Sequence, residues 1–478
     1  MSLKQKALRG FAWSLADKLI NQLGYLLVTI FLARLIGPES FGLIGMLTIF
    51  MLLAESVING GFSAALVQRS QQLTKADEST VFYINMAWGM AMYVLLYATA
   101  PLIAQFYKEP KLVDISRVLF VIVIINSFAV VVRAKLTINI DFKSQAIAGT
   151  IATLLSSAAG IYLALNGYGY WALVWLLVLK AVFNTLCIWF FCRWWPQLLF
   201  NIESFKKLFK FGSNLMIAGF VATFVNNLYI ALIGRYFSAT QVGYFTQATN
   251  LSNYLYQMLS STLQGVTYPI LTSIKEDKER LVSIYKQLIS ITMLVSLPLL
   301  IGLAAVSHEV VLLFLGEEWL PVAPVLSILC FARAITPISA INMNILNAIG
   351  RSDLFLKVDL SKLPMTIVAL LISVPYGIEA VAWAMVGTTV IAFFINAYFP
   401  GKLFGFGGWS QLKAAVKYIV AAAIMYVAVS WLELEVVLWL ELIAKILLGL
   451  LLYPLLLVIM RDQFVMQYVN LLISKVRV

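Results

Sequence analysis

Long apolar runs recur along the whole chain and predict membrane-spanning helices. Fourteen segments are long and apolar enough to cross a bilayer, which takes about 20 residues of helix. By residue number they are 12–36, 41–68, 81–106, 113–134, 145–165, 168–192, 208–234, 241–268, 283–307, 322–348, 354–375, 378–400, 411–431 and 439–460. We therefore expect an all-α polytopic membrane protein with fourteen transmembrane helices.

One predicted span carries a polar stripe among its apolar residues. In the eighth span, 241–268, polar side chains recur at spacings of three and four, which places them on one face of a helix. They are Gln247, Asn250, Tyr254, Gln257, Ser261, Gln264 and Tyr268. Lipid offers amides no hydrogen-bond partners, so this stripe must face protein or water. Two interpretations stay open: the wall of a hydrated cavity that suits sugars, or a helix–helix contact joined by amide hydrogen bonds.

Composition and charge agree with a membrane protein. The chain is 62% hydrophobic and 12% charged, which excludes an ordinary soluble globule. Its net charge of +12 follows the predicted topology, so we expect no nucleic-acid partner. With the N-terminus inside, the predicted outer loops hold only Arg34, Lys108, Lys111 and Arg235, and the other basic loops face the cytoplasm. We therefore expect both termini to be cytoplasmic.

The sequence lacks the usual signatures of enzymes and metal sites. His308 is the only histidine, which excludes a His-based metal centre or catalytic triad. The three cysteines suggest neither a disulfide framework nor a metal site. No glycine-rich phosphate loop of the ATP-hydrolysing type is present. Short outer loops also argue against a membrane-bound transferase. We expect no enzymatic activity, no cofactor and no metal.

A weak internal repeat divides the chain into two halves. Arg34 and Gly42, at the turn between spans 1 and 2, recur as Arg235 and Gly243 between spans 7 and 8. The pattern Tyr-Gly followed by Trp175 recurs before Trp383. Both matches place six spans in each half with the same orientation. The predicted domains are two six-helix lobes, 1–200 and 201–405, followed by helices 13 and 14 in 406–478.

Polar and charged side chains within the spans are candidate contacts for a transported molecule, because ionisable groups are costly in hydrocarbon. The candidates for the wall of a central cavity are Arg333, Lys180, Lys18, Lys362, Asn21, Asn59, Asn214, Asn227, Gln247, Asn250, Tyr254, Gln257, Gln264 and Asn344. Glu55 and Asp17 are candidates for ion coupling, and a salt bridge to a cavity cation is the alternative for Glu55. A structural charge with a protein partner is the alternative for each cation, and we favour it for Lys445.

Several loop segments resemble a known family. They are 33–42 (ARLIGPESFG), 133–134 with 141–143, 268–271 with 277–281, 315–319 (LGEEW) and 350–353 (GRSD). These segments resemble, in order and number, the loops of Wzx-type lipid-linked oligosaccharide flippases. Those proteins form part of the multidrug/oligosaccharidyl-lipid/polysaccharide exporter superfamily, and the likeness is greatest to its colanic acid exporter branch.

The resemblance implies a fold, a cargo and a location. It implies two six-helix lobes in a V around a central cavity, with two C-terminal helices. The implied cargo is a polyprenyl-pyrophosphate-linked oligosaccharide, moved from the inner to the outer leaflet of the bacterial cytoplasmic (inner) membrane for surface polysaccharide synthesis. Membrane lipid and the polysaccharide polymerase machinery are the implied partners. The alternatives are a cation-coupled drug or small-molecule antiporter of the same superfamily, and a membrane glycosyltransferase or ligase.

Overall fold

The chain is helical throughout the part that the structure describes. This structure is a computed structural model, and it describes residues 3–59, 61–68, 73–462 and 464–466. The helices are α1 (Leu3–Asn59), α2 (Phe62–Gln68), α3 (Lys75–Tyr107), α4 (Leu112–Leu119), α5 (Val121–Ile138), α6 (Phe142–Leu165), α7 (Tyr170–Cys192), α8 (Ile202–Tyr236), α9 (Ala239–Ser273), α10 (Lys278–Ala305), α11 (Ser307–Phe314), α12 (Val322–Ala348), α13 (Ser352–Ser361), α14 (Leu363–Ser373), α15 (Ile378–Phe404), α16 (Gly408–Ser430) and α17 (Leu438–Ile459). Short 3₁₀ turns occupy Glu317–Trp319 and Val374–Tyr376.

Many of these helices can cross a membrane. Within the described residues, ten helices are long and apolar enough to do so, which confirms a multi-pass membrane protein. The count of fourteen spans stays a prediction. Helix α1 holds two predicted spans, because its path breaks at Gly37, where φ is 68° and ψ is 172°. Glycine tolerates this conformation, and Pro38 suits the first turn of the helix that follows.

Three other predicted spans are interrupted. The segment 41–68 ends as a helix at Asn59 and resumes as α2, and 113–134 is divided at Phe120. The segment 354–375 is divided at Lys362, next to Pro364 in the first turn of α14. Proline lacks the N–H that a continuous helix requires, which explains this last break.

Two of the loop segments that carry the family resemblance fix helix starts. A carboxylate oxygen of Asp141 accepts a hydrogen bond from the main-chain N–H of Ser144 at 3.1 Å, at the start of α6. A carboxylate oxygen of Asp277 accepts one from the N–H of Arg280 at 3.1 Å, at the start of α10. Such caps satisfy helix-terminal donors that otherwise lack partners. These motif residues therefore have a structural role that needs no contact with cargo.

The chain divides into two compact units, residues 1–246 and 247–478. In the first unit α6 packs on α1 and α7, and α8 packs on α1, α2 and α3. The second unit has its core between α10, α12, α16 and α17, where Tyr285, Met293, Ile341, Met425 and Leu457 are buried together. Van der Waals packing stabilises such a core. The hydrophobic effect adds little between helices in a membrane, because lipid is as apolar as these side chains. The predicted domain boundaries near residues 200 and 405 stay predictions.

The two turns that carry the sequence repeat contact each other within the first unit. A side chain at Gly42 would collide with the main-chain carbonyl of Ala239, and one at Gly243 would collide with the carbonyl of Pro38. Since Pro38 and Gly42 occupy the same places in the repeat as Ala239 and Gly243, the contact is reciprocal. Only glycine permits so close an approach of two backbones.

Candidate functional site

In the first unit, the predicted residues Lys180 and Asn21 lie near the same face of α1. The Lys180 Nζ on α7 is 4.0 Å from the centre of the Tyr25 ring on α1, which is a cation–π contact. One turn earlier on α1, the Asn21 Oδ1 accepts a hydrogen bond of 3.1 Å from the Thr153 Oγ1 on α6. Among the described side chains, Lys180 forms no ion pair. Among the described side chains its charge therefore meets an aromatic face and no acid.

The predicted coupling residue Glu55 has two polar neighbours on α5. The Asn126 Nδ2 donates a hydrogen bond of 2.8 Å to the Glu55 Oε1. Arg133 lies two turns further along α5 and interacts electrostatically with the same carboxylate. Residues seven apart share a helix face, so α5 presents both groups to Glu55. Sequence reasoning missed Asn126 and used Arg133 only as part of a loop motif; an amide inside the apolar run of α5 was the available signal.

In the second unit, the polar and apolar faces of α9 have different surroundings. Asn250 and Gln257 are exposed, whereas Leu255 and Leu259 pack against the core of the second unit. Tyr254 is half-buried. Both interpretations of the stripe remain open, because water or a neighbouring surface can meet an exposed amide.

Gln247 differs from the rest of the stripe. Its side chain is buried, and its Oε1 has no hydrogen-bond partner among the described residues. A buried acceptor without a donor is destabilising by about 1–3 kcal/mol. The role of Gln247 in a cavity wall stays a prediction.

Helix α12 carries two donors on one face that have no acceptor among the described residues. The Arg333 guanidinium carbon is 5.4 Å from the centre of the Tyr256 ring on α9, and its Nε is buried without an acceptor in the described structure. The Asn344 Nδ2 is likewise buried without a partner there. Residues eleven apart complete three helical turns, so both side chains leave α12 in nearly the same direction, about 16 Å apart along the axis. Tyr256 was not predicted, because it lies off the stripe of α9.

Lys362, by contrast, is already paired. Its Nζ donates to the Asp359 Oδ1 at 2.6 Å and to the Asn396 Oδ1 at 3.1 Å. The break between α13 and α14 positions this side chain, and the partners come from α13 and α15. A cargo phosphate would have to compete with an acid that Lys362 already holds, so its assignment to cargo stays a prediction.

A buried polar network in the second unit was not predicted. The Gln411 Nε2 donates to the Tyr285 hydroxyl at 2.9 Å, and the Asn342 Nδ2 donates to the Gln411 Oε1 at 3.0 Å. Tyr285 also hydrogen-bonds to Asn342. These bonds join α10, α12 and α16 and leave the network internally satisfied, which suits a structural role.

The remaining predicted residues add little to the Lys180 and Asn21 region of the first unit or to Arg333 and Asn344 on α12. The Asn227 Nδ2 donates to the carbonyl of Thr223 on its own helix at 2.8 Å, and Asn59 lies half-buried at the end of α1. Four side chains lie outside the described ones, namely Lys18, Asp17, Asn214 and Gln264. Within the described residues no group of three His, Cys, Asp or Glu side chains is placed to hold a metal ion.

Comparison with known proteins finds relatives over most of the chain. A family model described as "Polysaccharide biosynthesis protein" matches residues 31–324. Teichuronic acid biosynthesis protein TuaB of Bacillus subtilis (strain 168) is 27% identical over 351 residues, 72% of each chain. Lipopolysaccharide biosynthesis protein WzxC of Escherichia coli (strain K12) is 26% identical over 379 residues, 78% of this chain and 76% of its own. Succinoglycan biosynthesis transport protein ExoT of Rhizobium meliloti (strain 1021) is 26% identical over 337 residues, 69% of this chain and 67% of its own.

Solved structures share the fold. The inward closed conformation of the lipid II flippase MurJ matches with a TM-score of 0.76 and 15% identity, over 96% of this chain and all of that one. An inward-facing multidrug resistance transporter of the MATE family, from the MOP superfamily, matches with a TM-score of 0.62 and 17% identity, over 85% of this chain and 95% of that one. At such low identity the likeness extends to the fold alone.

Proposed function

This chain belongs to the polysaccharide biosynthesis protein family, and on that premise we propose that it is an alternating-access flippase. Its cargo is a polyprenyl-pyrophosphate-linked oligosaccharide, moved from the inner to the outer leaflet of the bacterial cytoplasmic membrane for surface polysaccharide synthesis. The names of three relatives point to surface polysaccharides, and one is named a transport protein. The fold shared with a lipid II flippase supports transport of a lipid-linked molecule.

The observation that carries this proposal is the pair of donors on α12 that lack an acceptor in the described part of the chain. The planar guanidinium of Arg333 can donate two parallel hydrogen bonds to phosphate oxygens. Its buried Nε has no acceptor among the described residues, so a phosphate there would satisfy a group that the protein leaves unmet. The Asn344 amide, three turns along the same face, suits a sugar hydroxyl. Together they fit a ligand with an anionic head and a polar chain.

A second set of residues in the first unit has compatible chemistry. Lys180 adds a cation that lies against the face of Tyr25. An aromatic face also suits the C–H face of a sugar ring, and Asn21 supplies an amide one turn away. We therefore propose Arg333 and Lys180 as pyrophosphate ligands, and Asn21, Asn344 and the exposed amides of α9 as sugar ligands.

The remaining parts of the mechanism follow from the predicted topology. We propose fourteen spans with both termini in the cytoplasm, and two lobes that rock about a central cavity. Glu55 is the proposed coupling residue. Its carboxylate accepts a hydrogen bond from Asn126 and interacts with the Arg133 guanidinium, which a transported cation can replace. A downstream polymerase that removes cargo is the other candidate driving force.

A deletion strain tests the function directly. Removal of the gene is expected to lower surface polysaccharide and to cause lipid-linked oligosaccharide to accumulate on the inner leaflet. Leaflet location can be read from access of a membrane-impermeant lectin to spheroplasts and to inverted vesicles. The wild-type gene should restore export. Accumulation on the outer leaflet would instead place the defect after transport and refute the proposal.

A further inference from the structure

A cavity of about 970 Å³ lies within the second unit, bordered by α11, α12, α15, α16 and α17. Neither Arg333 nor Asn344 lines it, so it is separate from the proposed cargo ligands. One part of its wall is charged and carries Glu309, Glu433, Glu441 and Lys445. Another part is aromatic. His308 stands exposed at the edge.

The charged wall has an excess of carboxylate. The Lys445 Nζ lies 2.5 Å from the Glu309 Oε1 and 2.8 Å from the Glu441 Oε1, and its side chain is only 3% exposed. One ammonium cannot neutralise two carboxylates, and an uncompensated buried charge is strongly unfavourable. Glu433 at the rim adds a further negative charge. Glu309 is buried, and its Oε2 has no hydrogen-bond partner in the described structure. Among the described residues, the site therefore lacks a second cation, one that would donate a hydrogen bond to the Glu309 Oε2.

The aromatic wall faces the same space. The Phe331 and Trp383 rings stack at 6.4 Å with an angle of 14° between their planes, and the Tyr426 ring packs on Phe331 at 5.5 Å. Trp383 is exposed and lines the cavity. The faces of such rings attract cations, tryptophan most strongly. Carboxylates beside an aromatic wall are the usual surroundings of a bound organic ammonium ion.

Two observations argue against a bare metal ion. Within the described residues no three ligating side chains converge closely enough to hold one. The cavity is also far larger than an ion needs, and its stacked rings offer a metal no ligand atoms. An ammonium group fits both walls, because it can donate N–H hydrogen bonds to the carboxylates and lie against an aromatic ring.

We propose that this cavity binds a primary ammonium group, with Glu309 and Glu433 accepting its hydrogen bonds and Trp383 covering its charge. The ammonium can belong to a soluble amine or to the headgroup of an amine-bearing phospholipid. This assignment goes beyond the flippase function and does not depend on it.

The test uses the full-length protein in nanodiscs of phosphatidylglycerol, which has no amine. Binding of radiolabelled ethanolamine is measured by scintillation proximity. Glu309→Gln is expected to weaken binding by about tenfold or more, because it removes a buried charged acceptor. This variant leaves Lys445 paired with Glu441, so the protein should fold. Glu433→Gln and Trp383→Leu are each expected to weaken binding about threefold.

Glu435→Gln is the matched control, since Glu435 is exposed in the same loop but does not line the cavity. It should change binding by less than about twofold. Tetramethylammonium carries charge but no N–H, so it should compete far less well than unlabelled ethanolamine. Absence of ethanolamine binding, or equal binding by wild type, Glu309→Gln and Glu433→Gln, would overturn the proposal. Equal competition by tetramethylammonium would overturn hydrogen bonding to Glu309.

A second nanodisc composition identifies the source of the ammonium. With phosphatidylethanolamine in the bilayer, loss of ethanolamine binding supports a lipid headgroup as the occupant. Unchanged ethanolamine binding supports a soluble amine. Either result is consistent with an ammonium site, because the soluble probe has already bound in the amine-free bilayer.

Discussion

Arg333 and Lys445 are two cations of the second unit that resemble each other in sequence and differ in surroundings. Each is a lone basic residue in an apolar helix. Lys445 has two carboxylates within 3 Å, whereas Arg333 has an aromatic ring and an Nε with no acceptor among the residues that the structure describes. The first arrangement is complete for the lysine, and the second leaves a donor available. A buried cation therefore indicates function only when its partners are known.

Loss of Lys445 should have the largest effect on stability. Lys445→Met leaves Glu309 and Glu441 close together without a cation, and breaking a buried ion pair costs about 3–5 kcal/mol. We expect a large fall in the amount of folded protein, measured by fluorescence-detected size-exclusion chromatography of membrane extracts. Adding Glu309→Gln and Glu441→Gln to the same chain should restore most of it. If Lys445→Met alone is as stable as wild type, the ion pairs of Lys445 with Glu309 and Glu441 do not stabilise the fold.

Loss of Arg333 should affect export and not folding. Arg333→Ala removes a charged donor worth about 1.5–3 kcal/mol to a phosphate, so export should fall at least about tenfold. Arg333→Lys should retain part of the activity, because charge remains while the two-pronged guanidinium is lost. Arg333→Glu should be worse than alanine. Surface polysaccharide in the deletion strain, normalised to protein by blot, gives the result.

Arg351→Ala is the control for that series, since Arg351 is exposed and pairs only with its neighbour Asp353 at 2.9 Å in the described structure. It should export normally. Normal export by all three Arg333 variants would remove Arg333 from the cargo site. Loss of protein in Arg333→Ala would make Arg333 a structural residue like Lys445.

The two faces of α9 offer a comparison of the same kind. In a cysteine-free background, cysteines at Asn250 and Gln257 should react with a small hydrophilic thiol reagent, whereas those at Leu255 and Leu259 should not. A cysteine at Gln247 should react slowly in the conformation described here, because that side chain is buried. The initial rate of labelling in intact membranes is the measurement. Equal rates on both faces would favour a helix packed on all sides.

The smallest effect is expected at the surface pair Arg351–Asp353. Hydrogen bonding from the guanidinium lowers the pKa of Asp353 to about 2. Because the folded pKa lies below the unfolded one, any stabilisation is present above the unfolded pKa and disappears as the pH falls toward 2. Both groups are exposed, so Arg351→Ala should leave Tm unchanged at neutral pH. A clear drop in Tm would show that the start of α13 depends on this pair.

Much of the helical fold can be read from the sequence, because hydropathy is local. The predicted span 322–348 coincides with α12, Val322–Ala348. The causes of the helix breaks at Gly37 and Lys362 are local as well, because a glycine lies at the first break and a proline follows the second. The polar stripe of α9 was also visible in the sequence, because helical spacing alone places its members on one face.

The partners within the candidate sites could not be predicted in this way. Glu309 and Lys445 are 136 positions apart, and Asn126 is 71 from Glu55. Helix packing brings such pairs together, and hydropathy carries no information about which helices meet. Cation–π partners are harder still, because Tyr25 and Tyr256 sit among many aromatic residues that only pack. The sequence therefore identified candidate charges and could not tell paired from unpaired ones.

The reciprocal contact of Gly42 and Gly243 has a consequence for motion. At Gly42 and Gly243 the nearest atoms across the contact are main-chain atoms, so no side chain stands between the two turns at these positions. Interlocked side chains must disengage before a surface opens, and each disengagement adds to the kinetic barrier. A contact between two backbones adds no such step to the barrier. Alanine at both positions would hold the two turns apart, while the rest of each turn keeps its shape.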